Sequence, residues 1–177
     1  APVEPYLLFT DTVNNAMPAH QRKLGLKVRQ SNLCAEIMLP TGFDHKGKER
    51  TAVCCLSSLN AAKYLEWKDD PDFIEDIYRF LDNVLQDFID RAPAEMDRAV
   101  YSAIQERSVG LGLMGFHTFL QQMNAPFESA MAKSWNMKLF KHIRTAADAA
   151  SVKLAEERGA CPDAEASGVK ARFSHKL

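Results

Sequence analysis

The stretch at residues 128–158 does most to limit the fold. Met131, Trp135, Leu139, Ile143, Ala146, Ala150 and Leu154 recur there at steps of three or four, which puts them on one face of a helix with 3.6 residues per turn. Gly159 follows as a C-cap, where a residue without a side chain ends a helix easily. The spacing therefore predicts one long helix, and its alanine run at 146–150 predicts close packing against a neighbour. Such a face must be covered, and the sequence offers the partners. Asp70-Pro71 supplies a capping residue followed by a proline suited to the first helical position, ahead of Phe73, Ile77, Phe80, Leu81, Val84, Leu85 and Phe88. That helix should stop near Ala92-Pro93. Another is expected over 93–107, with Met96, Val100, Ala103 and Ile104 on one side. A third should follow Gly115 through Phe119, Leu120 and Met123.

The first third reads as strand and loop. Tyr6 to Phe9 is a short apolar run ending in polar Thr10-Asp11-Thr12, the pattern of a buried strand that delivers side chains to a site. Residues 15–30 hold Pro18, Gly25 and several cations, and read as a crossing loop. Residues 41–50 read as a second polar loop, separating a strand at 31–36 from Thr51-Ala52-Val53-Cys54-Cys55-Leu56. His45 lies among charges and glycines and reads as solvated, since no second histidine stands at metal-ligand spacing. The fold class expected is α/β, mostly helical after residue 70.

Composition sets the outer bounds. The chain has 177 residues, 46% hydrophobic and 25% charged, ordinary values for a folded domain that argue against disorder. A formal net charge of -1 gives no long-range pull on nucleic acid. No apolar run approaches the ~20 residues that cross a membrane, and the start Ala1-Pro2-Val3-Glu4-Pro5 lacks the pattern of a signal peptide. Cytoplasm is the expected compartment. The four cysteines, Cys34, Cys54, Cys55 and Cys161, are too few and too irregular for a disulfide scaffold, so reduced thiols are expected. Cys161, in Gly159-Ala160-Cys161-Pro162, reads as a small buried hydrophobe.

Two motifs invite chemistry. In an extended chain Asn32, Cys34 and Glu36 project to one face. An amide that holds a hydroxyl, a thiol that transfers a hydrogen atom and a carboxylate that takes a proton are the groups that activate a polyhydroxylated substrate such as a sugar. The same alternation is also the ordinary pattern of a half-buried strand. Gly110-Leu111-Gly112-Leu113-Met114-Gly115 fits the dinucleotide pattern G-x-G-x-x-G. That pattern requires a preceding strand and an acidic residue about 20 positions on. Here a helix is expected before it and no acidic residue stands at that distance. The glycines instead read as sites where two helices approach closely.

Several stretches, in order and at similar separations, resemble the catalytic subunit of ribonucleotide reductase: Glu4-Pro5-Tyr6-Leu7-Leu8-Phe9-Thr10-Asp11-Thr12-Val13-Asn14, Ser31-Asn32-Leu33-Cys34-Ala35-Glu36, Cys54-Cys55-Leu56-Ser57-Ser58-Leu59-Asn60, and Glu106-Arg107-Ser108-Val109-Gly110-Leu111-Gly112-Leu113-Met114-Gly115-Phe116. The resemblance continues to His175-Lys176-Leu177, and its wording is closer to the aerobic class I subunit than to the cobalamin-dependent one. It implies that residues 1–177 are the central part of a ten-stranded α/β catalytic barrel. It implies reduction of ribonucleoside diphosphates to deoxyribonucleotides, the building blocks of DNA replication. Cys34 stands where the family has the thiyl radical, Glu36 where it has the base for the 3′-hydroxyl, and Asn32 where it has the amide that binds sugar hydroxyls. Cys54 stands where it has one of two reducing thiols. A Cys54–Cys55 bridge is not expected, because adjacent cysteines sit too close for the preferred geometry.

The resemblance also implies what lies elsewhere. The second reducing cysteine should precede the radical cysteine, and no cysteine precedes Cys34. The effector region binding ATP or dNTPs, a Pro-Thr-Ala-Ser phosphate loop, the paired tyrosines that relay the radical and the mobile C-terminal cysteines are likewise expected outside these residues. The implied partners are other segments of the large subunit, a radical-generating small subunit containing a metal, and thioredoxin or glutaredoxin as reductant. No cofactor is expected in this chain itself. The alternative reading is a structural and interaction piece of a split subunit, inactive and poorly stable by itself.

Overall fold

The computed structural model describes residues 7–176. Two short helices open this span, Thr10–Ala16 (α1) and Ala19–Lys23 (α2). A two-residue hairpin pairs Gly42–Phe43 (β1) antiparallel with Glu49–Arg50 (β2). The framework follows. Cys55–Asn60 (β3) pairs in parallel with Val109–Met114 (β4), in a register that sets Cys55 beside Val109 and Asn60 beside Met114. Between them run Tyr64–Trp67 (α3), Phe73–Arg91 (α4) and Asp97–Glu106 (α5), as a parallel pair requires a long crossover. Phe116–Gln122 (α6), Ala130–Arg158 (α7) and Pro162–Glu165 (α8) complete the order.

The helices after residue 70 form where the periodicity puts them. The Ser129 hydroxyl accepts from the Ala132 backbone N–H at 3.1 Å and caps α7. Asp70 accepts from the Asp72 backbone N–H at 3.0 Å, but α4 begins later than Asp70-Pro71 led one to expect: Pro71 lies outside the helix, and Asp72 is the N-cap without a side-chain cap bond. The core lies between α4, α7 and one face of the β3–β4 pair, with Tyr78, Leu81, Leu139, Ile143, Leu154, Leu59, Val109 and Leu111 all buried. Ala147 and Ala150 are buried there, so the alanine run does permit a close approach to α4. On α4 the buried face is Ile74, Tyr78, Leu81, Asp82 and Leu85, whereas Phe80 and Val84 are exposed. On α5 it is Ala99, Ser102, Ala103 and Glu106, and Met96 and Ile104 face outward. In both helices the sequence reading is rotated, because it counted apolar residues and the buried stripe includes charged ones.

Three expectations are corrected. Residues 7–9 carry no strand, Leu7 and Phe9 are exposed, and Thr10, Asp11 and Thr12 begin a helix instead. Asp11 in that first turn suits the positive end of the helix dipole. Tyr6 lies outside the described residues. The loop expected over 15–30 contains α2, whose Gln21 is buried. The glycines at 110 and 112 do not bring helices together, for they lie inside β4. Val109, Leu111 and Leu113 face the helical core, and Gly110, Gly112 and Met114 face the other way beside Leu56, Ser58 and Asn60. No helix among the described residues is long and apolar enough to cross a membrane.

Candidate active site

Residues 31–36 do not form the expected strand. Leu33 and Cys34 form a turn, Ala35 follows in the left-handed region at φ 60, and the segment bulges between two tied ends. At its base the Asn14 side-chain amide brackets Val28, donating to the Val28 carbonyl at 2.9 Å and accepting from the Val28 N–H at 2.9 Å. It replaces a neighbouring strand and so fixes the segment's entry. The Thr41 N–H donates to the Lys27 carbonyl at 3.1 Å, and the Arg29 guanidinium donates to the Thr41 carbonyl, which fixes the exit.

Within the bulge, Asn32 does the work of a strand partner. Its carbonyl accepts from the Ala35 N–H at 3.1 Å, and its side-chain oxygen accepts from the Ile37 N–H at 3.0 Å. The Ser31 hydroxyl donates to the Ile37 carbonyl at 3.1 Å. These bonds hold Ala35 in a conformation that costs a residue with a side chain about 1–2 kcal/mol. Cys34 therefore stands at the exposed tip of a held turn, with Leu33 beside it at 83% exposure. Glu36 is exposed on the far side of the turn.

Cys54 lies just before β3, on the strand face that looks away from the helices. Burial, with lesser contributions from Cys55 and Glu106, pushes its thiol up to about 12, so it is protonated at neutral pH. Its thiol points at the Cys55 carbonyl, 3.9 Å away. A cleft of about 300 Å³ is lined by Asn32 and Cys54 together with Gln30, Ser31, Thr41 and Thr51. Two of the four expected site residues thus share a cleft. Cys34 and Glu36 do not line it. Cys55 points to the helical side of β3, its thiol likewise raised by burial. Cys161 is fully buried against Ala164 and Ala171, 3.3 Å from the Ser174 hydroxyl, and His45 is exposed.

Glu106, whose charge also bears on Cys54, belongs to a buried set of charges that the sequence reading missed. Arg50 donates two hydrogen bonds to Asp163, at 2.6 and 2.9 Å, and pairs with Asp44 at 3.0 Å. Glu106 is fully buried nearby, receives the Ser102 hydroxyl at 3.3 Å and faces the Gln21 amide at 3.4 Å. Burial raises its carboxyl to about 8, against the opposing pull of Arg50. The next residue, Arg107, turns the opposite way to Asp82. A Glu-Arg pair at the junction of an amphipathic helix and an apolar run is the one signal in the sequence that marks this place.

The chain as a whole has known counterparts. The family model described as "Ribonucleotide reductase, barrel domain" matches residues 3–175. The chain belongs to this family. It is similar to the ribonucleoside-diphosphate reductase large subunit of Invertebrate iridescent virus 3, 46% identical over 172 residues that cover 97% of this chain and 26% of the relative. It is also similar to a vitamin B12-dependent ribonucleoside-diphosphate reductase of Mycobacterium tuberculosis, 34% identical over 90% of this chain. Among solved structures, the class Id ribonucleotide reductase alpha subunit of Actinobacillus ureae superposes with a TM-score of 0.87 at 35% identity. That superposition covers 97% of this chain and 32% of the other. The chain is a part of the reductase barrel with mixed strand and helix content, and it spans about a fifth to a third of the length of these relatives.

Proposed function

We propose that this chain is the segment of a ribonucleoside-diphosphate reductase catalytic subunit that carries the radical thiol and one reducing thiol. The observation that supports this most directly is the cleft shared by Asn32 and Cys54, beside the turn that presents Cys34, in a chain of the reductase family. In this reading a Cys34 thiyl radical removes the hydrogen atom from C3′ of a ribonucleoside diphosphate. Glu36 accepts the proton of the 3′-hydroxyl, and Asn32 binds the sugar hydroxyls through its amide. The 2′-hydroxyl leaves as water. Cys54 and a second thiol from outside this segment supply two electrons and become a disulfide. C3′ then regains its hydrogen from Cys34, restoring the radical.

The thiol chemistry fits the geometry. Cys54 is held protonated by burial, so it reacts as a hydrogen donor and not as a general nucleophile. The radical would come from a separate metal-containing small subunit, ATP and dNTP effectors would bind outside this segment, and thioredoxin or glutaredoxin would reduce the disulfide. Thiols kept reduced point to the cytoplasm. The alternative, a structural piece of a split subunit that is inactive by itself, is favoured by the β3–β4 sheet, which has two strands and no further strand partner among the described residues.

The experiment is dNDP formation from NDP in the assembled reductase with small subunit and reductant. Cys34→Ser is expected to bring turnover to background, because an alkoxyl radical is much harder to form than a thiyl. Cys54→Ser should spare hydrogen abstraction from C3′ and block clean product formation. Equal loss in Cys34→Ser, Cys54→Ser, Cys55→Ser and Cys161→Ser would reduce the four to a folding effect and remove the assignment.

A further inference from the structure

Gly110 is buried although it has no side chain, and two residues of the neighbouring strand cover it. A Cβ placed at Gly110 would lie 2.4 Å from Leu56 Cδ2 and 3.6 Å from Cys54 Sγ. The space that any other residue at 110 would fill is occupied by the end of Leu56, which leans across β4 beside the Cys54 thiol. Leu56 is 55% exposed, so its outer side is free while its tip sits in the notch. At Gly112 the corresponding contact is only the Ser58 hydroxyl, at 3.2 Å. The notch at 110 is thus the one that seats an apolar side chain next to a thiol.

We infer that Gly110 and Leu56 are positioning residues for Cys54: the notch seats Leu56 as a cover over a side of this thiol that does not face the cleft, so that water and reagents reach it only through the cleft. The inference rests on Cys54 being the redox thiol. The effect is physical and local, since water removed from a thiol disfavours the thiolate. A reducing thiol that stays protonated is not consumed by passing electrophiles and retains its hydrogen for the substrate. Neither Gly110 nor Leu56 can exchange a proton or an electron with the substrate. Their influence passes through the solvation of one sulfur.

Alkylation of Cys54 by iodoacetamide, followed by mass spectrometry across pH on the assembled catalytic subunit, tests this. Leu56→Ala removes the cap from an exposed position and should raise the rate at neutral pH at least ~10-fold, the change that one pKa unit makes in thiolate fraction. The rate's rise with pH should move to lower pH. Gly110→Ala should act in the same direction by expelling Leu56 from the notch, and Leu56→Met, which refills it, should restore the wild-type rate. Buried Cys161 is the internal control. An unchanged Cys54 rate in Leu56→Ala overturns the proposal, and so does a matching rise at Cys161, which would be unfolding. These rates read the cap whether or not Cys54 exchanges electrons with substrate. Failure of the redox assignment would appear instead in the turnover of Cys54→Ser.

Discussion

Asp82 and Asn32 are both polar residues that hold several groups at once, yet they do so in opposite settings. Asp82 is 1% exposed in the middle of α4 and binds three guanidinium groups: Arg107 at 2.6 Å, Arg158 at 2.8 Å and Arg172 at 3.0 Å. Burial would raise its carboxyl, but the hydrogen bond from Arg172, the charge of Arg107 and the bond from Arg158 outweigh that and hold it low. It ties α4 to the end of α5, the end of α7 and the segment before residue 176. Asn32 is exposed and binds mainly the backbone of its own turn. The first arrangement fixes where helices meet and leaves no capacity over. The second fixes a local shape and leaves its amide nitrogen for something else. Rigidity is thus concentrated where the helices meet, and at the Cys34 turn the chain keeps one shape with groups to spare.

That contrast breaks or stands on four measurements. Asp82→Ala should have the largest effect, a loss of about 3–5 kcal/mol in urea unfolding, because it strands three buried or half-buried cations. If Asp82 acts on the framework alone, alkylation of Cys34 below the unfolding transition should not change. A parallel change there would merge the two regions into one. Asn32→Asp comes next. It keeps the acceptor for the Ile37 N–H and removes the amide donor, so stability should move by less than about 1 kcal/mol. Turnover in the assembled reductase should fall about 10- to 100-fold, the worth of one hydrogen bond to a reacting group. Unaltered turnover would make Asn32 a purely structural residue.

The third measurement concerns pH. Glu106 titrates at about 8 when folded and near 4.5 when unfolded, so between these values the folded state binds more protons. Its contribution to stability is therefore complete below the unfolded value and is lost as pH rises through about 8, at up to ~1.4 kcal/mol per pH unit. Glu106→Gln should remove that part of the decline, and an unaltered stability profile would contradict the neutral, buried state assigned to it. Asp44 runs the other way. Held low at about 2 by the hydroxyl of Tyr101, the Lys46 and Lys48 N–H groups and Arg50, against its own burial, it contributes stability that is lost as pH falls below the ordinary carboxylate range. Cys161→Ser should have the smallest effect, about 1 kcal/mol or less in the same unfolding assay, since a hydroxyl can still meet Ser174.

The framework and the site were legible to different degrees. Helical periodicity located α4, α6 and α7 because their apolar residues repeat often enough for the pattern to exceed chance. β4 was missed, since two glycines in six residues disguise a strand whose side turned away from the helices needs them bare. The site residues were named by resemblance, and their geometry was not. Alternation at 32, 34 and 36 suited a strand, but the hydrogen bonds that make a turn come from Ser31, Asn32 and Ile37, and local pattern carries no record of a side chain that bonds its own backbone. Arg50 and Asp163 lie far apart in the chain, and nothing near either one announces the other.

The parallel register of β3 and β4 governs how the chain must fold. Cys55 cannot meet Val109 until α3, α4 and α5 have traversed the distance between them. Closing so long a loop costs chain entropy that only the helical packing inside it can offset. Joining the strands should therefore be a late, slow event in kinetics set by non-local contacts. Because the cleft needs Cys54 at the foot of β3, it should form after most helical signal has appeared, and a chain stalled before that step would look folded by circular dichroism while still lacking the cleft.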